Sequence, residues 1–195
     1  MDKVIESIAS KIANRFVVKN QIPEDKKELY EYGALIAIQS AINILFTLLL
    51  GFVSGMFFEN LCFFIAFKIL RKYSGGLHSS KFSVCFIISI SSNILVLLTL
   101  KILEIYPNYI LLFIFEAVSF LIVLIFAPVN NNNKPISKKE AKIYKVIVCG
   151  ACIVLIITSV ILVTNNSFYA FVLGMSMVLN SFLIIIEKIK GLLRC

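Results

Sequence analysis

The stretch Arg71 to Cys85, RKYSGGLHSSKFSVC, holds the only histidine of the chain, His78, seven residues before Cys85, in a polar, glycine-punctuated interval between two apolar runs. A thiol and an imidazole are the smallest pair that supports cysteine nucleophilic catalysis: the imidazole takes the thiol proton and the thiolate attacks. Spacing limits how the two can meet. On one continuous helix this offset puts them on one face but about 10 Å apart along the axis, beyond the roughly 3 Å that proton transfer needs. The helix is therefore expected to begin between them, with Ser79 or Ser80 as its N-cap. Gly75 and Gly76 let the preceding loop fold back and bring His78 over Cys85. Cys85 then falls within the first two turns of that helix, near its positive end and near Arg71, Lys72 and Lys81, and all of these favour thiolate. The bland alternative is a loop histidine that merely precedes a membrane cysteine.

The scaffold that must position these residues is almost entirely apolar. Of 195 residues 59% are hydrophobic and 15% charged, with 17 Phe and no Trp; a soluble domain of this length could not hide so much apolar surface. Runs long enough to cross a hydrocarbon core of roughly 30 Å read as Gly33 to about Phe57, Phe82 to Leu100, Ile105 to Ala127 (ended by Pro128), Ile143 to Val163 and Phe168 to Ile186. Between the first two lies a shorter run, Leu61 to Leu70, interrupted by Lys68, which reads as a tilted span or a re-entrant segment. The expected fold is thus an all-α polytopic membrane protein with about six transmembrane helices, the second one short. It forms a single integral membrane domain over 1–195: an N-terminal cytoplasmic or interfacial helical segment at 1–32 and a helical bundle at 33–190, with the candidate active-site loop at 71–85.

Met1 to Asn20 lacks the continuous apolar core of a secretory signal. Val4, Ile5, Ile8, Ile12 and Phe16 recur at helical spacing, with Lys3, Lys11, Arg15 and Lys19 elsewhere on the wheel. The pattern fits equally a helix in the membrane interface and a solvated helix packed on its own protein. After Pro23, Glu24, Asp25, Glu28 and Glu31 interleave with Lys26 and Lys27, which reads as a separate short helix.

The net charge of +8 has to be read by position. With six spans, every Lys and Arg except Lys101 falls on one side, so the positive-inside rule puts both termini and the Arg71 to Lys81 loop in the cytoplasm. That distribution points to a lipid bilayer and not to nucleic acid. Five cysteines, mostly within spans, do not form a disulfide framework. Cys149 and Cys152 have zinc-like spacing but no His or Cys nearby to complete a site, so they read as core packing, and Cys62 reads as buried. No cofactor or metal is called for. Glu116 lies deep in a span, where a carboxylate is a functional candidate. It carries the competing reading, a small polytopic transporter. Interhelical hydrogen bonding is the plainer role for Glu116 and for Gln39, Asn93 and Asn180.

The string Arg71-x4-Gly76-x-His78-x6-Cys85 at the start of a span resembles the signature of the accessory gene regulator B (AgrB) family, membrane cysteine endopeptidases of Gram-positive quorum sensing. Ala127-Pro128 followed by Lys134-Pro135-Ile136 and a basic run, the basic amphipathic N-terminus and the length extend the similarity over essentially the whole chain. The resemblance implies Cys85 as nucleophile and His78 as base, with Arg71 and Gly76 in supporting positions and Gly75, Lys72 and Lys81 beside them. It implies a precursor peptide substrate of the AgrD type, with an amphipathic leader and an acidic tail, a cell-membrane location with the active site on the cytoplasmic side, and homodimerisation. The chain departs from the pattern after Gly33, where Ala34 and Leu35 replace a glutamine found in some members.

Overall fold

The computed structural model describes residues 2–18, 23–75, 82–129 and 137–193. Among these residues the chain is all helical: α1 (Asp2–Val18), a 3-10 turn (Glu24–Lys26), α2 (Lys27–Ser54), α3 (Phe57–Ser74), α4 (Phe82–Ile105), α5 (Tyr109–Phe126), α6 (Lys138–Thr164) and α7 (Tyr169–Leu193). Five of them, α2, α4, α5, α6 and α7, are long and apolar enough to cross a membrane. The α3 helix is an unbroken 18 residues, roughly 27 Å long, but it carries Glu59, Lys68, Arg71 and Lys72 and is correspondingly less apolar.

Several boundaries differ from the hydropathy reading, each for a local chemical reason. The separate helix expected before Gly33 is instead the first part of α2, which runs unbroken from Lys27. A single glycine inside a helix costs only about 1 kcal/mol, too little to break it. The helix stops at Gly55, whose φ is +73°. There the Gly55 N–H donates to the Phe52 carbonyl (3.1 Å) and the Met56 N–H to the Gly51 carbonyl (3.0 Å), the paired bonds of a Schellman stop. The α4 helix continues through Lys101 and Glu104 to Ile105, so Ile105 closes α4 and does not open α5. Pro107 ends the run, and the Asn108 side chain caps α5 by accepting from the Leu111 N–H at 3.0 Å. The basic residues Lys138 to Lys145 lie on α6 itself, behind a capping box in which Ser137 Oγ accepts from the Glu140 N–H and Glu140 Oε2 accepts from the Ser137 N–H.

The helices fall into two compact units, 1–49 with 79–91 and 50–78 with 92–195. In the first, α1 buries Ile5, Ala9 and Ala13, a stripe at i, i+4 and i+8, and leaves Val4, Ile8, Lys11 and Arg15 exposed. Packing on its own protein thus describes one face of α1, while the other carries mixed apolar and basic side chains. Phe46 of α2 meets Phe86 of α4 edge to face at 5.1 Å.

The second unit is built around α7. Of its membrane-length window 61% is buried, against 22% for α5 and 17% for α6, so α7 is the central helix of this unit. Leu70, Val123, Val148, Cys152, Met177 and Ile184 form its core, with Cys149 packed alongside; the Cys149/Cys152 pair is packing material, as expected. Gly174 is what lets α5 lie close. A β-carbon there would overlap Leu112 Cδ1 and sit 3.3 Å from Glu116 Oε1. Gly174→Val is therefore expected to destabilise the protein by about 1–3 kcal/mol through overpacking. Gly150→Ala, which meets nothing within 4 Å, should leave the thermal midpoint in detergent unchanged or slightly raised.

Polar side chains inside the second unit mostly pair between helices, as read from the sequence. Asn93 of α4 donates to Asn60 of α3 at 2.8 Å, and Gly51 leaves room for Asn60, whose Nδ2 would lie 2.9 Å from an added β-carbon.

Candidate functional site

The C-terminal turn of α3 is where the residues Arg71, Lys72, Ser74 and Gly75 become structure. Gly75 leaves the helix at φ +71° and ψ −156°, a combination essentially restricted to glycine. Three contacts hold it there. Arg71 Nη1 donates to the Gly75 carbonyl at 2.9 Å. Ser74, fully buried, donates from Oγ to Asn180 Oδ1 of α7 at 2.8 Å. The Val129 N–H donates to the Ser74 carbonyl at 2.9 Å, so Gly75 and Val129 form a single parallel bridge. Val129 follows Pro128, which is preceded by a cis peptide bond. The start of the stretch 71–85 and the residue after Ala127-Pro128, two features singled out separately in the sequence, are thus fastened together, and Val129 shares a buried cluster with Leu70, Ala127, Val148 and Ile184.

Lys72 is exposed, with its Nζ 5.3 Å from the Tyr73 ring centroid. Tyr73 in turn packs edge to face on Tyr144 of α6 at 5.6 Å. Of the two glycines expected to turn the loop, Gly75 leaves α3 at positive φ, and the fold-back itself falls on residues outside those described. Gly76, His78 and Lys81 lie outside the described residues, and with them the expected meeting of His78 and Cys85.

Cys85 occupies the first described turn of α4. It is a half-buried free thiol, and its carbonyl accepts from Ser89 Oγ at 2.9 Å. Two residues earlier, Ser83 presents both its N–H (3.1 Å) and its hydroxyl (2.6 Å) to one oxygen of Asp2. Sequence reasoning passed over Asp2. Its partner is 81 positions away, and no local pattern announces such a contact.

Of the remaining candidates, Asn180 takes the interhelical role expected of it, through Ser74. Glu116 does not: it is 1% exposed and neither carboxylate oxygen has a hydrogen-bonding partner among the described residues. The buried hydroxyl of Ser159 on α6 is the polar neighbour of that carboxylate, without closing a short hydrogen bond to it. Cys62 is half-buried and not fully enclosed.

Each unit thus holds one feature of its own: in the first, a thiol on the first described turn of α4; in the second, the end of α3 fastened to Val129 and Asn180. The family model described as accessory gene regulator B matches residues 5–184. A Clostridium perfringens (strain 13 / Type A) protein provisionally named AgrB-like protein 2 is 34% identical over 149 residues, covering 71% of this chain and 67% of its own length. A provisionally named AgrB-like protein of C. perfringens (strain SM101 / Type A) is 33% identical over 149 residues with the same coverage. No solved structure matches the chain.

Proposed function

The chain belongs to the accessory gene regulator B family, and from that premise we propose that it is a membrane cysteine endopeptidase that trims and cyclises an autoinducing-peptide precursor. The observation that carries this reading is the half-buried thiol of Cys85 on the opening turn of α4, directly after the segment that contains His78. In the proposed reaction the Cys85 thiolate attacks a peptide carbonyl of the precursor. His78, having taken the thiol proton, returns it to the departing amine as the C–N bond breaks, and the tail leaves. The acyl-enzyme thioester is then captured by an internal cysteine or serine of the precursor, which restores the thiol and closes a thiolactone or lactone. Capture by the internal nucleophile outruns hydrolysis only if that nucleophile is held close and water is kept out; a site at the membrane boundary supports both.

Arg71 and Gly75 fix the start of the loop in this reading, and Lys72, Gly76 and Lys81 complete its supporting set. A six-span arrangement, in which α3 is the sixth crossing, puts both termini and the loop in the cytoplasm of a Gram-positive cell. The basic N-terminal turns of α6 then face the cytoplasm, where they complement an acidic precursor tail. The functional unit in this reading is a homodimer.

The test is reconstitution of the full chain with a matched precursor, followed by mass spectrometry. The expected result is tail release and a hydroxylamine-sensitive mass increment on Cys85, equal to the N-terminal fragment of the precursor less one water. Equal tail release by wild type and Cys85→Ala sinks the proposal. One observation favours a second reading, a transporter: the carboxyl group of Glu116, buried in the middle of the membrane-length helix α5. Under the endopeptidase reading Glu116→Gln, which keeps the shape and removes the charge, should leave tail release within about threefold of wild type; under the transporter reading it abolishes function while Cys85→Ala is silent.

A further inference from the structure

The N-terminal helix ends its buried stripe on a carboxylate. Asp2 lies on the same face of α1 as Ile5, Ala9 and Ala13, three, seven and eleven positions before them, and that stripe is buried. At its end one oxygen of Asp2 accepts two hydrogen bonds from Ser83, from Oγ at 2.6 Å and from the backbone N–H at 3.1 Å. The first amides of a helix have no partner within it, and a carboxylate there is favoured both as acceptor and by the helix dipole. Hydrogen bonds to an ionised acceptor are about twice as strong as neutral ones. Two donors from one residue, one on the backbone and one on the side chain, fix direction as well as distance.

We propose that Asp2 is a positioning residue for the reaction: through Ser83 it fixes the opening turn of α4 and so the direction in which the Cys85 side chain leaves the helix. This rests on the reading of Cys85 as nucleophile. Ser83 and Cys85 are two residues apart on one turn, so a tilt or fraying of that turn moves the thiol sulfur directly. A misplacement of about 1 Å costs on the order of 100-fold in rate where a nucleophile must meet a carbonyl along a defined line. The α1 helix is thereby more than a membrane-surface attachment. Its length and its small residues Ala9 and Ala13 deliver Asp2 to one place.

The experiment compares Asp2→Ala, Asp2→Asn, Asp2→Glu, Ser83→Ala and the double variant Asp2→Ala/Ser83→Ala in the full chain, reconstituted with the same precursor. The expected result is a fall in kcat of about 10-fold for Asp2→Ala and for Ser83→Ala with KM unchanged within twofold, and a double variant no slower than the worse single one, as for two residues acting through one contact. Asp2→Asn, which keeps an acceptor, loses less than Asp2→Ala. A second readout does not need the reaction: amide hydrogen exchange over residues 83–86 is faster in Asp2→Ala than in wild type. Additive losses in the double variant, a change in KM alone, or wild-type kcat in Asp2→Ala overturns the proposal. If Asp2→Ala does not fold, Ser83→Ala and Asp2→Asn decide the question by the same kcat and exchange criteria. If Cys85→Ala cleaves like wild type, it is the nucleophile reading that fails; faster exchange in Asp2→Ala then still establishes the anchor, and unchanged exchange removes it.

Discussion

Cys85→Ala is expected to abolish tail release, by about 10⁴-fold or more, while leaving a folded membrane protein. The size of the loss follows from the chemistry: without the thiol no acyl-enzyme forms, and removing the nucleophile of a catalytic set costs on the order of 10⁴ to 10⁶ in kcat. The fold should survive because Cys85 is half-buried and, among the described residues, takes part through its backbone carbonyl, which accepts from Ser89. His78→Ala should come within about tenfold of the same loss, and the double variant should be no worse than Cys85→Ala, since groups that act as a unit are strongly non-additive. Precursor binding separates this from general damage. Cys85→Ala should retain wild-type affinity for the uncleaved precursor, measured by co-purification from detergent. A Cys85→Ala protein that still releases the tail, or one that no longer binds the precursor, contradicts the assignment of Cys85 as nucleophile.

What could be read from the sequence, and what could not, divides along physical lines. The membrane class, the number of long apolar helices and the glycine turn after α3 were legible, because each follows from composition or from a residue type with one dominant use. Helix ends were not. In a lipid-facing helix both faces are apolar, so the periodicity that marks burial in a soluble protein is absent, and the ends are set by local chemistry instead: Gly55 with its paired bonds, Pro107 and Asn108, and Ser137 with Glu140. Those signals are written in the sequence, but hydropathy outweighed them. The same misplaced boundary concealed Asn60. Beside Glu59 it read as part of a connection, yet α3 begins at Phe57 and buries Asn60 against Asn93. The contacts that shape the candidate site, Ser74 with Asn180 and Asp2 with Ser83, span 106 and 81 residues. Sequence periodicity carries no information about such pairs.

Gly75→Ala is expected to lower tail release by more than about 100-fold, with a stability loss of about 2–4 kcal/mol. Two costs combine at this position. The backbone sits at φ +71° and ψ −156°, where a β-carbon is disfavoured whatever the surroundings, at about 1–3 kcal/mol. That β-carbon would also lie 2.5 Å from the Val129 carbonyl oxygen and 3.3 Å from its nitrogen. The obstacle is backbone, so no side-chain rotation relieves it, and the chain must separate from Val129. Separation breaks the Val129 N–H bond to Ser74 and draws Ser74 away from Asn180, leaving buried polar groups unpaired at about 1–3 kcal/mol each where water cannot follow. The Arg71 guanidinium loses the Gly75 carbonyl in the same movement. Gly33→Ala is the matched control: it meets nothing within 4 Å, lies inside α2, and should be neutral or stabilising by about 0.5–1 kcal/mol. Thermal unfolding and tail release measured on both variants separate a general intolerance of glycine replacement from a specific need at the end of α3. Equal behaviour of the two would mean that the fastening of 71–75 to 127–129 has no part in catalysis. Loss confined to Gly75→Ala would make that fastening the fixed point from which the loop bearing His78 is held.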